Sequence, residues 1–154
     1  MNIPLKLDIT TGDKITPKEV VYEFKLLLED RSIQVLPYNL ETVMAEKLET
    51  VISRGDQNTR PRDFYDIYIL YELQRKNIKH SALKAAFLAT AEKRNSKGIV
   101  EQYDKIVSII QSSELMKKRW RDYQKDFNYA NEIEFEDTCN AIKELLDALD
   151  IIRL

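Results

Sequence analysis

Glycine, proline and cysteine are scarce in this chain. Its 154 residues include only 3 Gly and 4 Pro, the residues that most often interrupt helices. The single cysteine, Cys139, excludes an intramolecular disulfide and fits a reducing compartment. No apolar run approaches the length of a transmembrane helix, and the N-terminus lacks the apolar region of a signal peptide. We therefore expect a mostly helical, cytoplasmic protein without a membrane segment.

The usual signatures of metal and phosphate binding are also missing. His80 is the only histidine, and no cluster of His and Cys supports a zinc site. No Gly-rich phosphate loop is present. Cys139 lies on an apolar helix face, which favours a small core residue over a nucleophile. The 24 basic and 26 acidic side chains give a formal net charge of −2, so nucleic acid could bind only through a local patch.

The composition that remains suits one soluble domain with a core, since 44% of the residues are hydrophobic and 32% are charged. Apolar alternation over residues 5–9 predicts a strand. The segment VVYEFKLLL and residues 33–35 predict two further antiparallel strands, and a helix over residues 19–28 is the rival interpretation. We expect an α+β fold, mainly α: a strand-rich part over residues 1–38, then a helical bundle over residues 39–154.

Helical spacing predicts a series of helices in the second part. Asn39 is a good N-cap for the first of them, and Pro61 suits the first position of the second. Ser81 is the candidate cap of the third. Apolar residues such as Leu115, Trp120 and Tyr123 mark the inner side of a later helix. The predicted helical ranges are residues 40–53, 64–73, 81–90, 99–110, 113–127 and 134–152.

Lys47 is an anomaly in the first of these helices. Residues such as Leu40, Met44 and Leu48 form a broad apolar stripe, and Lys47 falls inside that stripe. The predicted polar face is elsewhere and carries Thr42, Ala45 and Glu49. A lysine in an apolar stripe must extend to solvent, pair with a carboxylate or point into a polar cavity.

Asp66 is a second anomaly. The helix around it is apolar nearly all round, which predicts a central position in the fold. A carboxylate there needs a cation, a hydrogen-bond donor or a metal, and the candidate partners are Lys47, Arg60 and Arg62. Asp63 lies one turn earlier on the same side, where either the helix dipole or a function explains an acid.

Three stretches match known motifs, and the helical tail adds a fourth likeness. Residues 6–9 (KLDI) match a K-x-D-I strand, residues 42–47 (TVMAEK) match T-x-x-x-E-K, and residues 60–66 (RPRDFYD) match R-x-R-D-x-x-D. With these motifs the chain resembles the AbiEii/AbiGii toxin family of nucleotidyltransferases, within the DNA-polymerase-β-like superfamily. The resemblance covers essentially the whole chain, and it implies that the N-terminal strands are the remnant of a nucleotidyltransferase sheet.

The family's first motif, Gly-Ser followed by an Asp-x-Asp pair, is absent from the 154 residues. In the superfamily that pair and a third carboxylate hold two divalent ions, which activate the attacking oxygen and neutralise the triphosphate. Asp8 would be the third carboxylate and metal ligand, and one carboxylate alone is a poor magnesium site. The resemblance therefore implies the C-terminal part of such an enzyme, inactive by itself, whose complete form uses Mg²⁺ and an NTP.

For the complete protein the resemblance implies transfer of a nucleoside monophosphate from an NTP to RNA, which in some relatives is the 3′ end of tRNA. The family acts as the toxin of type IV toxin–antitoxin and abortive-infection phage-defence systems. Lys47 would contact the triphosphate, Asp66 would hold Lys47 or act as a base, and Asp63 would shape the same pocket. The nucleotide-binding residues implied are Lys47, Glu46, Thr42 and Arg62.

The partners implied are a cognate antitoxin or the missing N-terminal half, with tRNA as acceptor. The basic segment Lys117–Arg121, which contains Trp120, could supply an RNA surface, although a solvated helix face with a core tryptophan is the alternative. Two other hypotheses stay open for the chain. It could be a non-catalytic helical module that binds a protein or RNA, or Lys47 and Asp66 could be a buried ion pair that only fixes helix packing.

Overall fold

The computed structural model describes Tyr22–Lys25, Ser32–Val35 and residues 39–151. The first two segments are strands β1 (Tyr22–Lys25) and β2 (Ser32–Val35). They pair antiparallel, with Tyr22 opposite Val35 and Lys25 opposite Ser32. The strand predicted over residues 6–9 lies outside the described residues, so the nucleotidyltransferase sheet stays a prediction.

Seven α-helices follow within residues 39–151, which confirms that the chain is mainly helical. They are α1 (Leu40–Arg54), α2 (Pro61–Gln74), α3 (His80–Lys93), α4 (Lys97–Val100), α5 (Tyr103–Ser112), α6 (Glu114–Asp126) and α7 (Phe135–Ala148). Short 3₁₀ turns at Gly55–Gln57 and Asn128–Ala130 follow α1 and α6. None of the helices in this part of the chain is both long and apolar enough to cross a membrane.

Helix α1 lies at the centre of the bundle and packs on α2 and α3. It begins where predicted, because the Asn39 side chain accepts a hydrogen bond from the Thr42 backbone N–H at 2.8 Å. Its predicted polar face is wrong, since Thr42, Ala45 and Glu49 are all buried. Small residues on that side let another helix approach closely, and Glu49 is tolerated there because it has buried partners of its own.

Helix α2 was expected at the centre of the fold, and this prediction is wrong. It buries one stripe (Phe64, Ile67 and Tyr71) while packing against α1, α6 and α7. Residues on its other sides are half-buried, and Leu73 is 72% exposed. The tyrosines explain the difference, because an aromatic ring with a hydroxyl can cover a core and still meet water at its polar tip.

Two boundaries in the middle of the chain also differ from the prediction. Helix α3 begins at His80, so Ser81 lies inside the helix and Lys79 takes the N-cap position. The single helix predicted over residues 99–110 is broken into α4 and α5 by a turn, in which the Gln102 N–H donates to the Ile99 carbonyl at 2.9 Å. The buried stripe continues across that turn through Val100 and Tyr103, so periodicity could not reveal the break.

The last two helices follow the prediction more closely. Ser113 caps α6 by accepting the Met116 N–H, and Trp120 and Tyr123 are buried as expected. Leu115, also expected on the inner side, is 43% exposed instead. Helix α7 buries its whole apolar stripe, including Cys139. The largest fully buried side chains of the core are Phe64, Phe87, Met44, Leu48, Ile52, Ile67, Leu83, Ile110, Met116, Ile142, Leu145 and Leu146.

Candidate functional site

The ammonium of Lys47 joins the two central motifs. From the middle of α1 its Nζ donates to Asp63 Oδ1 at 3.1 Å and to Asp66 Oδ2 at 2.7 Å, both on the first turns of α2. The structure therefore selects Lys47 as the partner of Asp66 among the three cations predicted. The lysine of T-x-x-x-E-K and both acids of R-D-x-x-D meet at one point, which we call the Lys47 cluster (Lys47, Asp63 and Asp66).

The loop between α1 and α2 sets this geometry. Gly55 ends α1 with φ +54°, a left-handed conformation that favours glycine. Asn58 is fully buried, and its Oδ1 accepts the Arg60 N–H at 2.7 Å. Arg119 of α6 donates to the Asn58 carbonyl at 2.7 Å and to the Asp56 carbonyl at 3.3 Å. These bonds fix the start of α2 against α1.

The three charged groups of the Lys47 cluster are buried to different degrees. The side chains of Lys47 and Asp66 are 23% and 28% exposed, whereas that of Asp63 is 5% exposed. Asp63 Oδ2 is buried without a hydrogen bond, with Arg60 Nε 3.4 Å away. The ammonium of Lys47 is therefore the more accessible partner, and Asp63 is the buried anchor of the cluster.

A cleft of about 210 Å³ opens at this cluster, lined by Val43, Glu46, Lys47, Thr50, Arg60, Asp63 and Arg94. A second cleft of about 390 Å³ shares Thr50, Arg60 and Arg94 with it and adds Arg54. Four cationic side chains line these two adjoining clefts, together with the acids Glu46, Glu49 and Asp63. The small excess of positive charge in the lining favours an anionic ligand.

A buried cluster beside the clefts was missed by the sequence reasoning. Glu49, 2% exposed, accepts from Arg94 Nη1 at 2.5 Å and from Ser96 Oγ at 2.6 Å. Arg94 also donates to Thr50 Oγ1 at 2.9 Å. We call Glu49, Arg94 and Ser96 the Glu49 cluster. The one available signal was the spacing of Thr42, Ala45 and Glu49, which repeats as a buried helix face does.

The helix stop after α3 places two members of the Glu49 cluster. Asn95 has φ +54°, and the Ser96 N–H donates back to the Ala91 carbonyl at 2.9 Å. This bond pattern is a helix C-terminal motif that turns the chain sharply. It brings the Arg94 and Ser96 side chains together onto Glu49.

Other residues predicted for the site lie in different surroundings. Glu46 lines the smaller cleft, and Arg62 is exposed on α2. Thr42 is 1% exposed, so a nucleotide could reach it only through a rearrangement. Asp8 lies outside the described residues. Their predicted roles toward a nucleotide or metal stay predictions.

The basic segment of α6 is largely occupied by contacts within the protein. Arg119 holds the loop carbonyls, and Lys117 Nζ pairs with Glu114 at 2.9 Å. Trp120 is a core residue whose Nε1 donates to the Ile133 carbonyl at 3.0 Å. Lys118 and Arg121 of the same segment are exposed, so the RNA surface stays a prediction.

The two residues expected to have no chemical role fit that expectation. His80 is exposed at the start of α3. Cys139 is 1% exposed, and burial raises the pKa of its thiol to about 12. A thiol that stays protonated is not a nucleophile at neutral pH.

The described residues do not fit a magnesium site. Asp63 Oδ1 and Asp66 Oδ2, the carboxylate oxygens that converge, both accept from the Lys47 ammonium. No group of three or more His, Cys, Asp or Glu in this part of the chain is arranged to hold a metal ion. Because magnesium prefers six oxygen ligands, any such ion needs carboxylates from outside the described residues.

Comparison with known proteins gave one match. No curated protein and no solved structure matches the chain. A family model described as the nucleotidyl transferase AbiEii toxin of type IV toxin–antitoxin systems matches residues 1–148. The chain therefore belongs to the AbiEii family of nucleotidyltransferase toxins.

Proposed function

We propose that this chain supplies the triphosphate-binding lysine of a toxin that transfers a nucleoside monophosphate from an NTP to RNA, with tRNA as the acceptor. The observation that carries the proposal is the ammonium of Lys47, held by two carboxylates at a cleft lined by arginines. A lysine is a compact point charge suited to phosphate oxygens. Arg60 would extend the contact along the phosphate chain.

In the reaction, a hydroxyl oxygen of the acceptor forms a bond to the α-phosphorus, and the bond to the pyrophosphate oxygen breaks. Negative charge grows on the leaving pyrophosphate while the proton of the hydroxyl passes to solvent water. Lys47 would stabilise that negative charge, because a fixed cation costs no reorganisation when the charge develops. Asp63 and Asp66 hold the Lys47 ammonium in position.

Of the two roles open for Asp66, holding Lys47 is the one the contacts support. Its Oδ2 accepts from Lys47 Nζ at 2.7 Å, the shorter of the two bonds to that ammonium. We therefore treat Asp63 and Asp66 as positioning residues for Lys47. Glu46, which lines the same cleft, would help to orient the lysine from its own helix.

The metal-binding half of the chemistry has to come from elsewhere. The 154 residues contain no Asp-x-Asp pair, so we propose that activity requires a segment that supplies one, with Asp8 as the third carboxylate. No step is assigned to Mg²⁺ through the described residues. Membership of a toxin–antitoxin family implies a cognate antitoxin, and we place the protein in the cytoplasm, where tRNA and NTPs meet, with phage defence as its role.

The test is transfer of label from an α-³²P NTP to tRNA by this chain joined to a segment with the Asp-x-Asp pair. Lys47→Ala should lower the rate by roughly 10²–10³-fold, as removal of a preorganised charge contact does. Lys105→Ala, a change at an exposed lysine of α5, is the matched control and should label RNA at the wild-type rate. Wild-type labelling by a folded Lys47→Ala protein would refute the assignment.

A further inference from the structure

Four aromatic rings lie together at the edge of the Lys47 cluster. Tyr65 of α2 lies 4.7 Å from Tyr129 in a tilted contact, and Phe127 lies 4.8 Å from Tyr123 and 5.5 Å from Tyr129, as measured between ring centroids. The Tyr123 and Tyr129 hydroxyls share a hydrogen bond at 2.9 Å. We call these residues the aromatic patch (Tyr65, Tyr123, Phe127 and Tyr129).

The patch is exposed although its members are large and apolar. Tyr129 is 51% exposed and Phe127 is 39% exposed. Tyr123 below them is buried, and its hydroxyl and ring contacts hold the outer rings in place. Rings that are fixed by one another lose little conformational freedom on binding, so the patch is a preformed surface for a flat ligand.

Its position connects it to the proposed reaction. Arg62, Tyr65 and Asp66 share one face of α2 at i, i+3 and i+4 spacing, and Asp66 also binds Lys47. Arg62 and Asp66 both act electrostatically on Tyr123. A ligand stacked on the patch would therefore lie beside the cluster and beside the exposed guanidinium of Arg62.

We propose that the aromatic patch stacks the unpaired bases at the 3′ end of the RNA acceptor, while Arg62 contacts its phosphates. Single strands bind where aromatic faces alternate with basic groups, because each base offers a flat face whatever the sequence. Stacking here would bring the terminal hydroxyl to the neighbouring site. The proposal rests on the proposed function, and it adds where the acceptor binds.

The test is binding of the 154-residue chain to a fluorescent single-stranded RNA of about eight nucleotides, read by anisotropy. An abasic strand of the same length keeps the phosphates and removes the bases. We expect the RNA to bind about tenfold more tightly than the abasic strand. Tyr129→Ala should remove most of that difference.

Two control variants separate the ring from other effects. Tyr129→Phe keeps the ring and loses the hydroxyl, so it should bind RNA within about twofold of the wild type. Leu73→Ala removes an exposed apolar side chain of α2, which is 72% exposed against 51% for Tyr129, and should also leave binding unchanged. Circular dichroism checks that each variant folds.

Several outcomes would overturn the inference: no binding of RNA, equal binding of the abasic strand, no effect of Tyr129→Ala, or the same loss with Leu73→Ala. The same loss with Leu73→Ala would show that α2 is a general apolar surface, which would suit a protein partner. Failure of the proposed function looks different. If Tyr129→Ala removes base-dependent binding but no nucleotide is transferred from an NTP, the aromatic patch is supported and the proposed function is not. If nucleotide is transferred and the KM for RNA is unchanged in Tyr129→Ala, the proposed function is supported and the patch is not.

Discussion

Helix α1 carries two clusters of charged side chains, and they differ in how completely they are satisfied. Lys47 and Glu49 lie about 200° apart around the helix, but Arg94 of the Glu49 cluster reaches the cleft that Lys47 lines. In the Glu49 cluster both carboxylate oxygens have donors, and the acid is 2% exposed. In the Lys47 cluster the ammonium reaches a cleft, and one oxygen of Asp63 is buried without a hydrogen bond.

This difference separates a structural contact from a functional one. Arg94 is 41% exposed, but a buried carboxylate such as Glu49, with both oxygens paired, can do little except hold helices in register. An ammonium has three N–H donors, and within the described residues the two carboxylates take two of them, so the Lys47 cluster retains a donor for a ligand oxygen at the cleft. We therefore assign packing to the Glu49 cluster and chemistry to the Lys47 cluster.

The largest effect on stability should come from breaking the Glu49 cluster. Arg94→Met leaves a buried carboxylate with Ser96 as its remaining donor of the cluster, and we expect the free energy of unfolding to fall by about 3 kcal/mol. Urea denaturation measures this change. Arg121→Met, a loss of an exposed charge on α6, is the matched control and should change it by less than about 0.5 kcal/mol. Equal small changes in both variants would show that Glu49 is not held by Arg94.

Cys139 gives an independent measure of the same effect. Burial raises the pKa of its thiol to about 12, so alkylation at pH 8 has to wait for unfolding. A loss of about 3 kcal/mol should speed labelling by roughly 100-fold in Arg94→Met. Rapid labelling of the native wild-type protein would contradict this account of the core.

A smaller loss of stability is expected when the hydrogen bond between the neutral Tyr103 hydroxyl and the exposed Asp147 carboxylate is removed. The Tyr103 hydroxyl donates to Asp147 Oδ1 at 2.8 Å, and Tyr103→Phe should lower the free energy of unfolding by about 1 kcal/mol at pH 7. Burial and this bond raise the pKa of Tyr103 to about 12. The stabilisation is therefore present below pH 10 and is lost as the pH rises through 12. Urea denaturation at pH 7 and pH 11 should show the gap between the two proteins narrowing, and a constant gap would contradict the assignment.

The smallest change in stability is expected at the Lys47 cluster. In the double variant Lys47→Met with Asp66→Leu, apolar groups replace a partly exposed ion pair, and Asp63 keeps Arg60 at 3.4 Å. Such replacements are often neutral or stabilising, so we expect a change within about 1 kcal/mol by urea denaturation together with loss of nucleotidyl transfer. A fall as large as that of Arg94→Met would make the pair a structural one.

The Lys47 cluster could be predicted because each of its charges stands out against an apolar pattern. Lys47 interrupts one stripe and Asp66 another, and two such anomalies in neighbouring helices satisfy each other. The Glu49 cluster could not be predicted in the same way. Glu49 lies among small and polar residues, which the sequence alone predicts to be solvated. Only the packing of α3 shows that they are buried, and the partners of Glu49 come from the end of that helix, 45 residues later.

The position of α2 shows a second limit. Its composition is that of a buried helix, but composition does not tell which tyrosines turn their hydroxyls to water. The aromatic patch could not be predicted for the same reason. Phe127 and Tyr129 follow α6 in a short turn, and only the tertiary structure shows that this turn lies beside α2. The break between α4 and α5 could not be predicted, because the apolar stripe continues through it.

The most direct test of the central claim compares toxicity and melting temperature for the double variant Lys47→Met with Asp66→Leu, in which Asp63 keeps Arg60, in a toxin that includes this chain and the Asp-x-Asp pair. We expect growth inhibition to be lost while the melting temperature stays within a few degrees of wild type, or about 1 kcal/mol of stability. Retained toxicity in a normally folded variant would show that Lys47 does not act on the nucleotide. It would reduce the cluster to a contact between two helices.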